Sequence, residues 1–259
     1  MFDYQKALKF AENLCREKGN FLLSVWEDIG ELEFHDAIDF STKYDKQIEK
    51  EVYDAIKKQY PEHGFFGEEY EQLRDEQSDF VWNVDPIDGT KYFGKQVPMF
   101  TTIMGLMYRN EPVLGVVYNP SSKQLYSGAK GIGSFLNGKN LSIKDEGKTL
   151  LDSIISLELG DEDKAWESKK VVNVLAKAGR VRIFGNATLI ICWSLQGALS
   201  GYVDFFGMRD HGKKQDLVAP LAIAKEAGMV TKEISVGKKK KLFCVYPSLV
   251  NEIEKIFAE

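Results

Sequence analysis

Residues 84–90 read Val-Asp-Pro-Ile-Asp-Gly-Thr, and this stretch restricts how the chain can fold more than any other. Pro86 fixes its own φ and drives Asp85 out of the helical region, so the backbone there is extended or turning. The apolar run Phe80-Val81-Trp82, with Val84, leads in and reads as a buried strand. Two carboxylates therefore arrive at the end of a strand, where a loop can aim both at one spot. Gly89 lets a ligand come close to the backbone. The amides of Gly89 and Thr90 precede a candidate helix, a setting that favours a phosphate-sized anion. Acids beside an anion site conflict unless a cation lies between them. Hard divalent cations take oxygen ligands, and Mg²⁺ is commonly held by a few carboxylates together with substrate phosphate. The alternative is an Asx-type turn in which Asp85 and Asp88 only satisfy local amides.

A chain of 259 residues has room for one large domain or two lobes. Its net charge of −5, with no basic stripe, argues against a nucleic-acid surface. Lys238 to Lys241 lie between Val236-Gly237 and an apolar run from Leu242, and read as a solvated hairpin tip. Cys15, Cys192 and Cys244 are dispersed, odd in number and match no metal spacing, which fits free thiols in a reducing cytoplasm. The first six residues hold no apolar secretory core. The apolar region from Ala187 to Val203 is interrupted by Thr188, Ser194, Gln196, Gly197, Ser200 and Gly201, so a buried helix running into a strand is expected there rather than a membrane span. The expectation is a cytoplasmic protein with no membrane and no nucleic-acid partner.

Residues 3–27 carry Leu8, Ala11, Leu14, Cys15, Leu22, Val25 and Trp26 at helical spacing. Glu27 to Asp36 is acidic and aperiodic and reads as a loop. Thr42-Lys43-Tyr44-Asp45 fits a capping box with Asp45 in the acidic position, opening a helix that carries Ile48, Val52, Ala55 and Ile56. Phe65 to Glu69 reads as a short strand ending in acids. Phe100 to Tyr108 and Val113 to Tyr118 form a hairpin around Arg109-Asn110-Glu111-Pro112. Strands at 124–126 and 134–136 continue it, and Asn137-Gly138 is a tight-turn signal. The polar stretch 144–148 marks a lobe boundary, giving lobes 1–147 and 148–259. The second lobe alternates strands near 153–157, 181–184, 202–206, 229–231 and 242–245 with helices near 163–178, 187–199, 216–227 and from Pro247. That order predicts a layered α/β architecture.

Glu68, Asp85, Asp88 and Asp216 are far apart in sequence, and nothing in periodicity brings them together. Asp216 alone reads as a helix N-cap, and Glu69 as an exposed acid. Three segments taken together nevertheless resemble the inositol monophosphatase family: Phe66-Gly67-Glu68-Glu69, then Trp82 through Thr90, then Gln215-Asp216 ahead of Ala224-Lys225-Glu226-Ala227-Gly228. Asp39 to Asp45, Leu114 to Pro120, Asn137-Gly138-Lys139 and Gly185-Asn186-Ala187-Thr188-Leu189 also fit, so the resemblance spans almost the whole chain.

The resemblance implies an αβαβα sandwich of the inositol monophosphatase and fructose-1,6-bisphosphatase type, usually a homodimer, that hydrolyses small phosphate monoesters with Mg²⁺. By motif, Glu68, Asp85, the carbonyl of Ile87, Asp88 and Asp216 would hold metal. Glu68 and Thr90 would activate water, with Asp45 the candidate acid behind the Thr90 hydroxyl or, alternatively, only a helix cap. Asp88, Gly89, Thr90, Lys91, Gly185, Asn186 and Arg209 would contact substrate. The chemistry is coherent: cations neutralise a phosphate dianion and lower the pKa of water, whereas close unpaired acids would only raise one another's pKa.

Departures bear on the substrate. Gln215 stands where the family often has Trp. Residues 27–41 hold no Lys or Arg, where the family's loop often has a lysine. Phe206-Gly207-Met208-Arg209 offers no clear match for an acid that contacts the inositol ring. Lys91-Tyr92-Phe93, with Pro98 and Phe100-Thr101-Thr102, resembles histidinol-phosphate phosphatases, and Lys91 is similar to a feature of nucleotide 3′-phosphatases. Lys91 and Arg209 either grip a second anionic group or are solvated surface cations. Inositol 1-phosphate is the leading substrate. Histidinol phosphate, a nucleotide 3′-phosphate and fructose 1,6-bisphosphate are the alternatives, and a non-catalytic protein-binding role is the reading from another class. His35, His63 and His211 receive no role, and no Ser-His-Asp or Cys-His set supports covalent catalysis.

Overall fold

The structure is a computed structural model that describes residues 2–35, 40–159, 164–205, 214–236 and 239–258. It forms two compact units: Met1–Asn140 with Gln215–Ile223, and Leu141–Lys214 with Ala224–Glu259. This partition differs from a single cut at 147/148 in placing residues 141–147 with the second unit and residues 215–223 with the first.

Helix α1, Tyr4–Val25, is capped by Asp3, whose carboxylate accepts the Lys6 N–H at 2.9 Å. It buries Ala7, Leu8, Ala11, Leu14, Cys15 and Leu22 along one stripe. Two short strands, β1 (Leu32–Phe34) and β2 (Phe40–Thr42), pair antiparallel where a loop was expected around 27–36. Three residues each are too few for alternation to register in sequence. Helix α2, Lys43–Gln59, opens on the complete capping box of Thr42 and Asp45.

Strands β3 (Gly64–Gly67) and β4 (Phe80–Asp88) follow, then a short helix α3 (Thr90–Gly94). After them come β5 (Thr101–Tyr108), β6 (Glu111–Asn119), β7 (Gln124–Ala129), β8 (Gly133–Leu136) and β9 (Lys139–Asn140). They make a seven-stranded sheet in sequence order, with β3 and β4 parallel and the other pairs antiparallel. Turn chemistry drives this meander. Arg109 and Asn110 at one hairpin, and Asn137 and Gly138 at another, all have positive φ, as the strand twist requires of tight hairpin turns.

Side-chain alternation gives the sheet two buried faces. Leu106, Leu114, Val116 and Tyr118 join the α1 and α2 core. The opposite face carries a row of glycines, since Gly105 pairs with Gly115 and Gly115 with Gly128. Residues 215–223 lie in that groove. A Cβ on Gly115 would stand 2.0 Å from the Ala219 carbonyl oxygen, and one on Gly105 2.6 Å from Val218. Bare backbone at these positions is what allows the segment carrying Asp216 to sit against the sheet.

The second unit contains β10 (Ile154–Glu158), α4 (Lys164–Lys177), β11 (Arg180–Arg182), α5 (Ala187–Leu195) and β12 (Gly201–Asp204). Helix α6 (Lys214–Ala227), β13 (Val230–Val236), β14 (Lys239–Val245) and α7 (Val250–Ala258) complete the chain. The sheet order is β11-β10-β12-β14-β13. Strand β10 is parallel to both its neighbours, and the other pairs are antiparallel. The solvated-tip reading of Lys238 to Lys241 holds for exposed Lys240 and is corrected at Lys241, while Lys238 lies outside the described residues. Lys239 already begins β14, and Lys241 is buried with its ammonium donating to the Phe205 carbonyl. A buried cation of this kind survives by finding acceptors, a context that a run of four lysines cannot reveal. All three cysteines are free and buried, and none of the described helices is long and apolar enough to cross a membrane.

Candidate functional site

Strand β4 carries Asp85 into the interior of the first unit. The antiparallel register with β5 is regular from Phe80 to Asp85 and then shifts before Asp88. That irregularity, at Pro86, breaks the ladder and lets two acids three residues apart serve one region. The turn is stitched from within: Ile87 N–H donates to Asp85 Oδ1 at 2.9 Å, and Thr102 Oγ1 donates to the Pro86 carbonyl at 3.0 Å. Thr101 Oγ1 donates to Asp88 Oδ2 at 2.8 Å. Gly89 has φ of 86°, a left-handed conformation that suits glycine, and caps α3.

Asp85 is buried, and its carboxyl is held well above the usual range. Burial is the largest cause, followed by the negative charges of Glu68, Asp216, Asp88 and Asp45. Four of the expected metal ligands thus share one electrostatic neighbourhood, joined by Asp45. The Ile87 carbonyl is tied to the same turn and accepts the Thr90 hydroxyl at 2.8 Å. Asp216 lies in the first turn of α6, two residues inside the helix rather than at its N-cap.

Asp45 serves two partners at once. Its Oδ2 accepts the backbone N–H and the hydroxyl of Thr42, each at 2.7 Å, which closes the capping box. Its Oδ1 faces the Thr90 hydroxyl at 3.3 Å. Cap and Thr90 partner are therefore one arrangement rather than alternatives. Thr90 has a single proton, shared between the nearer Ile87 carbonyl and Asp45. Lys91 is exposed on α3. Gly185 and Asn186 belong to the second unit, where Asn186 is buried and its side-chain oxygen caps α5 by accepting the Leu189 N–H at 2.8 Å. Arg209 lies outside the described residues.

The donor set fits a hard divalent cation by its chemistry. It is all oxygen, it carries several negative charges, and it surrounds a buried carboxylate with like charge. Among the described residues no three acids, histidines or cysteines are already gathered round one ion-sized point.

Sequence reasoning missed several supports. Glu49 is buried on α2, one turn beyond Asp45, and accepts the N–H groups of Glu69 and Tyr70 at 2.8 Å each. The signal was present: an acid at i+4 from Asp45 interrupts the apolar stripe of Ile48 and Val52. Glu69 was read as exposed but is half-buried, and its carboxyl is pushed up to about 7 by desolvation and by Asp45, Glu68 and Glu49.

A model of the inositol monophosphatase family matches residues 3–246. An inositol monophosphatase of Mesembryanthemum crystallinum is 33% identical over 205 residues, covering 74% of this chain and 72% of that protein. A fructose-1,6-bisphosphatase/inositol-1-monophosphatase of Aquifex aeolicus is 32% identical over 197 residues, covering 74% and 71%. Among solved structures, an IMPase of Thermotoga maritima superposes with a TM-score of 0.81 at 24% identity, covering 98% of this chain and 97% of that one, and shares its fold.

Proposed function

The chain belongs to the inositol monophosphatase family, and on that premise we propose that this phosphoric monoester hydrolase acts on a small polyol phosphate, inositol 1-phosphate first among them, with Mg²⁺ as cofactor. The observation that carries the proposal is the buried Asp85, crowded by Glu68, Asp88, Asp216 and Asp45. A buried acid among four others is costly unless a cation offsets it. Glu68, Asp85, the Ile87 carbonyl, Asp88 and Asp216 would hold that cation. When bound, a divalent cation supplies charge neutralisation for phosphate and a lowered pKa for water.

The chain's own groups do the rest. Asp45, anchored by Thr42, and the Ile87 carbonyl accept hydrogen bonds from the Thr90 hydroxyl, which leaves the Thr90 oxygen free to accept a hydrogen bond from the attacking water. Glu68 takes the one proton that water loses on attack, and solvent water supplies the proton for the leaving alkoxide. Amides of Gly89 and Thr90 orient the phosphate, and the Thr101 hydroxyl holds Asp88 in register beside it. Lys91 and Arg209 would meet any further anionic group. The three buried free thiols favour a reducing, cytoplasmic setting. Exposed Leu151, Val172, Leu175 and Ile183 on the second unit favour a homodimer.

Fructose 1,6-bisphosphate is the second reading, favoured by the double name of the Aquifex relative. Phosphate release from inositol 1-phosphate, histidinol phosphate, a nucleotide 3′-phosphate and fructose 1,6-bisphosphate, with and without Mg²⁺, tests both. Inositol 1-phosphate should turn over fastest and only with the metal. A preference for the bisphosphate would install the second reading, and no turnover of any ester at millimolar Mg²⁺ would remove the first.

A further inference from the structure

Glu49 is a carboxylate with no solvent exposure, and none of the chemistry above uses it. Its Oε2 accepts the Glu69 N–H and its Oε1 the Tyr70 N–H, each at 2.8 Å, and the Glu68 amide adds a third bond. Successive amides converging on one anion form a nest. Here the anion is built into the protein. The fit is close enough to dictate the neighbouring residue: a Cβ on Gly67 would lie 2.4 Å from the Glu49 carboxyl carbon.

The carbonyls of the same segment are held by another side chain. Arg74 donates from Nε to the Gly67 carbonyl at 3.0 Å and from a terminal nitrogen to the Glu68 carbonyl at 3.3 Å. Its guanidinium rests on the Phe66 ring, 4.5 Å from the centroid. Glu49 thus takes the amides of residues 68–70, while Arg74 takes the carbonyls of residues 67 and 68. Between them the backbone on both sides of the Glu68 Cα is fixed, although the Glu68 side chain itself is exposed.

We propose that Glu49 and Arg74 are a positioning pair that presents the Glu68 carboxylate to the metal. The inference rests on Glu68 being a metal ligand. It also gives α2 a single role on two sides of the site: Asp45 holds Thr90, and one turn later Glu49 holds Glu68. A glutamine at position 49 keeps the size but offers only one acceptor atom, and its NH₂ would face a backbone N–H. The segment would loosen there while the acids themselves stay.

Mn²⁺ binding by electron paramagnetic resonance, with the Mg²⁺ needed for half-maximal phosphate release, tests this on Glu49→Gln and Arg74→Met. Partners of this kind are typically worth about 10–100-fold in metal affinity or activity. Glu49→Gln should weaken Mn²⁺ binding by about that factor, and added Mg²⁺ should restore most of its turnover. Arg74→Met should do the same to a smaller degree. A lowered melting temperature with unchanged Mn²⁺ affinity, measured well below melting, would show a merely structural role and overturn the proposal. Should Glu49→Gln not fold, Arg74→Met leaves the buried acid intact and decides in the same way. A wild-type protein that binds Mn²⁺ but hydrolyses no ester would remove the enzymatic reading and leave this one standing.

Discussion

Trp82 and Asp85 stand three residues apart on β4, so they face opposite sides of the sheet, and both bring a buried ionisable group into play. On the Trp82 side the group is His63. Its Nδ1 accepts the Trp82 indole N–H at 3.1 Å, and its ring stacks on Tyr60 and Phe80 with centroids 4.9 and 5.0 Å away. Burial, helped by the nearby Lys57, pushes its pKa down to about 4, so the ring stays neutral and costs the fold little. On the Asp85 side, burial and neighbouring acids push the other way, and the surroundings add like charge rather than offset it. One face closes its polar group with protein partners. The other crowds a buried carboxyl with further acids, the kind of strong perturbation that clusters at functional sites.

The largest test removes charge from the open face. Asp88→Asn keeps size and the Thr101 contact but deletes a negative charge proposed to hold metal. Turnover should fall by well over a hundredfold, beyond what supporting residues cost. The metal-free variant should melt at or above the wild-type temperature, because repulsion is relieved, and Mg²⁺ should no longer raise that temperature. Near-wild-type rates would move the metal site elsewhere and dissolve the contrast between the faces.

Thr90→Ala tests the same face more gently. Its hydroxyl is shared between Asp45 and the Ile87 carbonyl and is proposed to position water rather than to hold metal. The turnover number should drop about 10²–10⁴-fold, the usual worth of a positioned proton acceptor, with Mg²⁺ half-saturation little changed. The reverse pattern, intact turnover and lost Mg²⁺ affinity, would make Thr90 a ligand.

How much of this contrast could be read in the sequence differs between the faces. The Asp-Pro-Ile-Asp-Gly-Thr run is a local feature, and it announced the acids and the turn, while the left-handed conformation of Gly89 appears only in the structure. Gathering Glu68, Asp85 and Asp216 required the resemblance, since their meeting depends on parallel pairing of β3 with β4 and on a glycine row that admits residues 215–223. Neither leaves a periodic trace. His63 reads in the sequence as a loop histidine without ligand spacing. The sequence could not show that it is a satisfied core group, because its partner Trp82 is nineteen residues away. Glu49 stayed hidden for the same reason, with its amides lying twenty residues on.

The two faces should respond to pH with opposite sign. Glu69, raised to about 7, and Asp85, raised well above 3.8, hold protons in the folded state that the unfolded chain releases. The contribution of Glu69 to metal-free stability is full below about pH 4 and is lost as pH rises through 7, and that of Asp85 is lost in the same direction as pH rises through its own raised value. His63 is depressed from 6.5 to about 4, so its contribution is present above 6.5 and lost as pH falls through 4. Between these limits the slopes oppose. Bound Mg²⁺ favours ionised acids, so its stabilising effect should grow as pH rises from about 5 to 7.5. Melting temperatures across that range, with and without Mg²⁺, check this; a Mg²⁺ effect independent of pH would mean that the acids do not titrate with binding.

The smallest effect comes from the closed face, and it asks whether that face is independent of the other. Trp82→Phe removes the donor to His63 Nδ1 while keeping an aromatic ring. A buried acceptor left without its donor costs about 1–3 kcal/mol, and the lost ring volume adds to this. The indole N–H bonds the neutral imidazole, so without it the neutral form is less favoured and the His63 pKa should climb from about 4 toward 6.5. Acid destabilisation arising from the different His63 pKa values of the folded and unfolded states should shrink, even as overall stability drops. Mg²⁺ half-saturation and turnover should stay within about twofold of wild type, because the side chain faces away from Asp85 and shares no partner with it. Melting curves at pH 5 and pH 7.5, together with a Mg²⁺ titration of activity, separate these effects. A large loss of Mg²⁺ affinity in Trp82→Phe would mean that the two faces of β4 are one coupled network rather than two separate solutions to burying a polar group.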